Sequence, residues 1–414
     1  MEKLNGIKPS IRFPEFKDDW QHVKLSELLS ESKKRNEDLK YSKEEVLSVS
    51  GELGIVNQIE HLGRSYAGAS VHNYHVVENG DIVYTKSPLK ANPFGIIKLN
   101  KGKAGIVSTL YAVYKVNSKT CYNSWIDYYF SLDSNTNRYL RPLVKKGAKN
   151  DMKINNAYVL HDRIFAPNVS EQKRIANFFT VLDKKISELR QKKNLLEQYK
   201  KGVMQRLFSQ ELRFKDSNGK DFPNWEKKKL GEVFSIFNGY AFASEDAVSE
   251  GVLWVKIADV GIQEMKRDNL SYLPNEFLQK YEKFILKKGD YVIALTRPIL
   301  SGELKISPID DFFNNSLLNQ RVGKIISNNN TTFIYYMLQL NWLIKTIENN
   351  IAGTDPPNLS PKEIDFIRVE IPSLEEQNKI ADFLSVIDEK ISQTERQLQQ
   401  VKIWKKGLLQ NMFC

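Results

Sequence analysis

Pro167-Asn168-Val169-Ser170-Glu171-Gln172 opens a stretch that closes Lys200-Lys201-Gly202-Val203-Met204-Gln205-Arg206-Leu207-Phe208. The end of the chain repeats it. Pro372-Ser373-Leu374-Glu375-Glu376-Gln377 opens, and Lys405-Lys406-Gly407-Leu408-Leu409-Gln410-Asn411-Met412-Phe413 closes, shifted by 205 positions without a gap. Ile175/Ile380, Ala176/Ala381, Phe178/Phe383, Asp183/Asp388, Lys185/Lys390, Ile186/Ile391 and Ser187/Ser392 are identical pairs. A repeat of about half the chain length governs every local reading that follows.

Each copy reads as one long helix. A proline stands just outside its start, Asn168 or Ser373 takes the N-cap position, and Glu171 or Glu376 follows three residues later. That is the spacing of a capping box, in which the two side chains satisfy each other's backbone donors. Apolar residues then recur every three or four positions. In the first copy they are Ile175, Phe179, Leu182, Ile186, Leu189, Leu196, Val203 and Leu207; in the second, Ile380, Leu384, Ile387, Ile391, Leu398, Val401, Leu408 and Met412. Lys193 and Lys200 interrupt the first seam, Thr394 and Lys405 the second. A seam repeating about every 3.5 residues is that of a coiled coil, and one helix cannot bury it alone. Shared caps, phase and offset argue against two unrelated surface helices. The two helices are expected to pack on each other, antiparallel.

The repeat extends outward. Trp20 with Leu25 and Glu27 is matched by Trp225 with Leu230 and Glu232, again 205 positions on, and Arg12-Phe13 has its counterpart in Arg213-Phe214. The polar run Lys215–Asp221 opens the second half as a linker. The chain is thus ordered like a ring of two units cut open: globular part, helix, globular part, helix. The boundaries implied are an N-terminal arm and first domain over 1–165, a central helix over 166–209, a linker and second domain over 210–370, and a C-terminal helix over 371–414. Gly80-Asp81-Ile82-Val83 and Gly289-Asp290-Tyr291-Val292 read as the same turn and strand, leading into the basic loops Thr85-Lys86-Ser87-Pro88 and Thr296-Arg297-Pro298. Strands are expected at Val46–Ser50, Gly105–Tyr114 and Ile164–Ala166, and at Leu253–Ile257, Asp290–Leu295, Arg321–Ile326 and Ile367–Ile371. Helices are expected at Leu25–Arg35, Ser124–Leu132 and Thr332–Glu348. The fold class is therefore mixed α/β: two globular domains separated by two long antiparallel coiled-coil helices, in a pseudo-twofold internal repeat.

With 414 residues the chain has room for two or three domains, and its 41% hydrophobic and 27% charged composition is that of a soluble protein. The start lacks an apolar core of signal-peptide length, and Phe333–Ile344 is too short and too polar to span a bilayer. Two cysteines, Cys121 and Cys414, make neither a disulfide framework nor a zinc set, so a cytoplasmic location is expected. A net charge of +11 favours a polyanionic partner. A basic two-lobed protein could also be an enzyme acting on DNA. Asp355-Pro356-Pro357-Asn358 resembles an amino-methyltransferase loop but lacks the aromatic ring that would stack on a flipped base. Asp290 with Glu303 and Lys305 matches a nuclease triad only formally, and the first half offers Asp81 without partners. No phosphate-binding Gly-x4-Gly-Lys loop occurs. His72 and His75 lack the cysteines and spacing of a zinc finger. The chain reads as non-catalytic.

Two diverged α/β domains alternating with two near-identical helices that open Pro-x3-Glu-Gln-x2-Ile-Ala resemble the specificity (S) subunit of type I restriction–modification enzymes. The resemblance spans essentially the whole chain. It includes Gly239-Tyr240-Ala241-Phe242, and Gly353-Thr354 with Asn358-Leu359-Ser360, as in the target-recognition domains of that family. The first domain departs from it, with Val49-Ser50-Gly51-Glu52-Leu53-Gly54-Ile55 in place of Gly-x-Ala-Phe. The resemblance implies a DNA-reading subunit. Each domain would read one half of a bipartite site, and the helices would set the spacer and dock two methyltransferase subunits, with restriction/translocase subunits in the full complex. S-adenosylmethionine, ATP and Mg would belong to those partners, with no cofactor, metal or membrane contact in this chain. Lys and Arg on phosphates and Asn, Gln or Arg on base edges are the expected contacts with double-stranded DNA. The candidates are Arg64, Tyr66, Lys86, Ser87, Lys90, Lys149 and Asn150 in the first domain, and Asn238, Tyr240, Lys256, Arg297, Asn319, Gln320 and Arg321 in the second. Arg297 stands out because it follows an apolar strand and precedes the stiffening Pro298. The main alternative reading is a two-lobed coiled-coil scaffold whose charge is incidental, and an enzyme acting alone is the third.

Overall fold

The computed structural model describes residues 6–68, 70–146, 152–351 and 356–413. Two compact units emerge: Met1–Gln191 with Glu395–Cys414, and Lys192–Thr394. In chain order the shared elements of the first unit are β1 (Gln21–Lys24), β2 (Leu29–Glu31), β3 (Ile82–Thr85), β4 (Ile96–Leu99), β5 (Tyr111–Val116), α1 (Asn123–Ser131), β6 (Arg163–Ala166) and α2 (Val169–Phe208). Those of the second are β7 (Glu226–Lys229), β8 (Ser235–Asn238), β9 (Tyr291–Ala294), β10 (Ile306–Pro308), β11 (Val322–Ile326), α3 (Thr331–Met337), β12 (Arg368–Ile371) and α4 (Leu374–Met412). Each long helix contributes one part to each unit.

Topology repeats with the sequence. β1 pairs antiparallel with β6, Gln21 opposite Ala166, and β7 pairs the same way with β12, Glu226 opposite Ile371. The central sheets are antiparallel with order β2-β5-β3-β4 in the first unit and β8-β11-β9-β10 in the second. Gly80 and Gly289 both adopt φ +89°, which admits glycine freely. The carboxylate after each closes the turn and holds a lysine from the neighbouring strand. Asp81 accepts from the Glu78 N–H and Lys115, Asp290 from the Lys287 N–H and Lys324.

In each unit the sheet, α1 or α3, and a terminal part of each long helix enclose one core. In the first, Trp20, Trp125 and Phe179 are fully buried, and Phe413 at the end of α4 packs against all three rings. In the second, Phe208 at the end of α2 packs on Phe333 and Trp225. The start of one long helix therefore meets the end of the other, which is the expected antiparallel pairing. Of the expected seam, Ile175, Phe179 and Leu182 lie in the first core, and Ile380, Leu384 and Ile387 in the second with Ile391 at its margin. A cluster made by the two helices alone comprises Ile186, Leu189 and Leu398, flanked by Val401.

The seam's interruptions are filled in the same way at both ends. In the second unit Lys200, 7% exposed, pairs with Asp388 at 2.6 Å, and Asp388 also accepts from the Tyr336 hydroxyl at 2.7 Å. In the first unit Lys405 pairs with Asp183, which accepts from the Tyr128 hydroxyl at 2.7 Å.

Four local expectations are corrected. Glu171 and Glu376 do not complete capping boxes. Asn168 caps the Glu171 N–H at 2.9 Å, but the Glu171 carboxylate turns into the core to accept from Arg12 and from the Trp20 indole. Glu376 does the same with Arg213 and Trp225. Leu25–Arg35 is not one helix: it turns helically over Leu25–Leu28 and then extends, because Leu29 is needed opposite Val116 in the sheet. Gly105–Tyr114 divides at a turn, its first part (Gly105–Val107) pairing with His75–Val77 and its second forming β5. Thr332–Glu348 breaks between Met337 and Asn341, giving α3 and a second helix over Asn341–Ile351.

Candidate nucleic-acid interface

In the second unit three strand ends meet at one edge of the sheet. Asn238 at the end of β8 lies opposite Gly323, and Ala294 at the end of β9 lies opposite Val322. The loops beyond are tied by backbone bonds: Tyr240 N–H to Leu318 O, Gln320 N–H to Tyr240 O, Asn319 N–H to Val255 O, and Leu295 N–H to Arg321 O. This edge gathers all seven candidates of the second domain. Asn238, Tyr240, Arg297, Gln320 and Arg321 are exposed. Lys256 is half-buried, its ammonium 5.1 Å from the Trp254 ring. Asn319 is 8% exposed, and its amide oxygen accepts from the Arg321 N–H at 3.0 Å within the loop.

Arg297 is held in an uncommon conformation. Its φ is +49°, a left-handed value that costs a non-glycine residue about 1–2 kcal/mol. The neighbourhood enforces it: Arg297 N–H donates to Pro357 O at 2.8 Å, Thr296 Oγ1 to Asn358 Oδ1 at 2.7 Å, and Leu359 N–H to Leu295 O at 2.7 Å. The segment around Asn358 thus braces the loop that presents the guanidinium. Gly239 has an equally local reason. A Cβ there would sit 2.2 Å from the Leu318 carbonyl oxygen and 2.3 Å from that of Asn319. Phe242 beyond it is buried against Trp254.

The first unit presents its candidates differently. Lys86 leaves the end of β3 half-buried, and burial lowers its pKa despite nearby Glu31. Ser87 and Lys90 are exposed on the loop that follows. Arg64 lies over the ring of Tyr66 at 4.7 Å, and Tyr66 is 60% exposed. The hairpin pairing Leu47–Ser50 with Gly54–Asn57 brings its tip to the Lys90 loop, for a Cβ on Gly51 would meet Leu89 at 3.8 Å. Lys149 and Asn150 lie outside the described residues, as do Gly353, Thr354 and Asp355.

The formal nuclease set is not brought together. Asp290 precedes β9 and is engaged by Lys324, whereas Glu303 and Lys305 lie past the strand's other end, Lys305 pairing across from Ala294. His75 is buried and His72 exposed. Among the described residues no group of His, Cys, Asp or Glu is arranged to hold a metal ion, and no helix is long and apolar enough to cross a membrane. One feature escaped the sequence reading. Lys280, Tyr281 and Lys283 come up beside Tyr240, whose ring centroid is 4.6 Å from that of Tyr281. The interleaved Lys280-Tyr281-Glu282-Lys283-Phe284 was the signal available for it.

The family described as Type I restriction modification DNA specificity domain matches residues 223–402, which hold the second sheet, its exposed loop edge and most of α4. The MjaVIII specificity subunit of Methanocaldococcus jannaschii, a type I restriction enzyme subunit, is 32% identical over 255 residues. The alignment covers 60% of the chain and 60% of the relative. A second relative, the EcoAI specificity subunit of Escherichia coli, is 31% identical over 170 residues, 40% of this chain and 28% of that one. The chain thus matches less than two thirds of the length of either. In structure it is similar to the type I restriction–modification S subunit from M. genitalium, with a TM-score of 0.61 over 99% of both chains at 17% identity, a likeness of fold.

Proposed function

We propose that this chain is the DNA sequence-specificity subunit of a type I restriction–modification complex. Each unit reads one half of a bipartite site through the loops at the end of its central sheet. The long helices set the gap between the halves and seat the methyltransferase subunits. The chain itself carries out no chemistry; S-adenosylmethionine, ATP and Mg serve the partner subunits. The observation that carries this reading is the convergence in the second unit of Asn238, Tyr240, Arg297, Gln320 and Arg321 on one exposed edge. Amide and guanidinium groups there match the donor and acceptor pattern of base edges in a major groove. Arg297 is the residue assigned to base contact, since its strained backbone is held by its own bond to Pro357 O and by the bonds of Leu295 and Thr296 before it.

The test is the methylation motif in DNA from cells carrying this chain with its methyltransferase subunits. Two short blocks separated by unread positions are expected. Arg297→Ala should relax one block at one position, a bidentate base contact being worth about 1–3 kcal/mol of discrimination. Replacing the first domain by that of a relative should alter the other block alone. A single uninterrupted motif, or both blocks altered by either change, overturns the proposal.

A further inference from the structure

Beside the reading edge of the second unit lies an aromatic shelf with two lysines set on it. Its rings are Phe237, Tyr240, Tyr281 and Phe284, with adjacent centroids 4.6–5.6 Å apart. Tyr240 is 40% exposed, and its ring lies against that of Tyr281. The ammonium of Lys280 lies 5.2 Å from the Tyr281 ring, and that of Lys283 lies 5.6 Å from Phe237 and 5.5 Å from Phe284.

Two observations separate these lysines from ordinary surface charge. Both are exposed, yet among the described residues neither forms an ion pair with a carboxylate. Their near neighbours are engaged: Lys287 donates to Asn315 and Lys288 pairs with Asp311 at 2.8 Å. Cation–π contact restrains a lysine side chain while leaving its three N–H donors available to an acceptor outside. The shelf is also continuous with the reading edge, because Tyr240 belongs to both: its backbone is bonded to Leu318 and Gln320, and its ring to Tyr281.

We propose that Lys280 and Lys283 bind the sugar–phosphate backbone of the duplex alongside the half-site read by the second unit, with Tyr281 and Tyr240 fixing their position. This rests on the DNA-reading proposal above. The contacts carry no base information; they set the orientation in which Arg297 and its neighbours meet the groove. The same chemistry explains why the shelf is aromatic. Rings hold the ammonium groups in place without neutralising them, as a carboxylate would.

The experiment measures the salt dependence of binding to two short fluorescent duplexes by the full chain with its methyltransferase subunits. One duplex carries the motif methylated in cells; the other is a scrambled version. Each phosphate contact contributes about 0.9 to the slope of log affinity against log salt. Lys280→Ala with Lys283→Ala should lower that slope by about 2, weaken binding to both duplexes by about tenfold, and leave the methylation motif unchanged. Lys280→Arg with Lys283→Arg should keep the wild-type slope. An unchanged slope in the alanine variant, while the wild type prefers its motif, overturns this inference and leaves the DNA-reading proposal standing. So does a changed motif with an unchanged slope. A wild type that does not distinguish the two duplexes overturns both.

Discussion

Replacing Glu171 by leucine tests whether a buried carboxylate holds the first unit's N-terminal arm to its helix. Glu171 is fully buried and accepts from Arg12 through Nε and Nη2, both at 2.7 Å, and from the Trp20 indole at 3.2 Å. Leucine fills most of the volume but leaves a guanidinium without its counter-charge and a buried indole N–H without an acceptor. Removing one partner of a buried pair costs about 3–5 kcal/mol, and an unsatisfied neutral donor about 1–3. These do not add, since both act through one carboxylate. The Arg12 side chain remains 12% exposed and regains some hydration, which favours the lower end, about 3 kcal/mol. For a unit of about 200 residues that lowers the melting temperature by about 6–12 °C. Glu171→Gln, which keeps shape and one acceptor, should lose about half as much. Differential scanning calorimetry gives the size of the loss, and hydrogen exchange gives its place. Protection should fall over Gln21–Lys24 and the first turns of α2 while Glu226–Lys229 is unaffected. Glu376→Leu should do the reverse, since Glu376 holds Arg213 and Trp225 in the same way. A loss under about 1 kcal/mol for Glu171→Leu, the range of exposed ion pairs, would refute the anchor.

Two other outcomes follow from side chains already described. Leu189→Asp puts a carboxylate into the cluster of Ile186, Leu398 and Val401, at a cost of about 3 kcal/mol; sizing chromatography should show weakened assembly while the motif of any remaining methylation is unchanged. Burial, then the nearby Arg35 and Lys86 charges, lowers the His75 pKa from 6.5 to about 4. The unfolded chain therefore takes up this proton at higher pH than the native one. Stability from this group is complete above about pH 6.5 and is lost as pH falls towards 4, with a slope of up to one proton. Urea titrations across that window should give a shallower acid dependence for His75→Phe than for the wild type.

The helices were legible because their constraint is periodic and doubled. Apolar spacing, a cap and an offset of 205 positions can all be read along one dimension, and each restricts the others. The strand pairs in front of the helices were half legible. Ile164–Ala166 and Ile367–Ile371 read as strands, but their partners Gln21–Lys24 and Glu226–Lys229 are too polar to declare themselves. Glu171 and Glu376 misled because a capping box and a buried anchor use the same residue at the same position. What separates them is Arg12 and Trp20, more than 150 positions away in sequence. Leu25–Arg35 failed for a related reason. Leu25, Leu28 and Leu29 fit a helical stripe, and only the sheet's need for Leu29 opposite Val116 decides otherwise. On the loop edge of the second sheet, the residue types singled out in the sequence include Gln320 and Arg321, which lie exposed on the turn before β11. Residue type could not place Lys280 and Lys283, because the contacts that bring their segment to the edge, Lys283 on Phe237 and Tyr281 on Tyr240, join residues more than forty positions apart.

The lysines that seemed to interrupt the apolar seam bear on why the helices adopt one alignment. A seam of leucine and isoleucine alone tolerates a shift of one heptad, since apolar contacts are exchanged for similar ones. Lys200 and Asp388 do not tolerate it. The pair is 2.6 Å apart with Lys200 almost wholly buried, and the Tyr336 hydroxyl occupies the second carboxylate oxygen. A slip of one heptad would take the Lys200 cation from its counter-charge and part the Asp388 carboxylate from the Tyr336 hydroxyl, which is far costlier than any gain from the repacked seam. Lys405, Asp183 and Tyr128 impose the same requirement in the first unit. The tyrosines come from α3 and α1, so each triad joins both long helices to the helix packed on its unit's sheet. Alignment of the helices and attachment of each sheet are thereby fixed by one set of contacts.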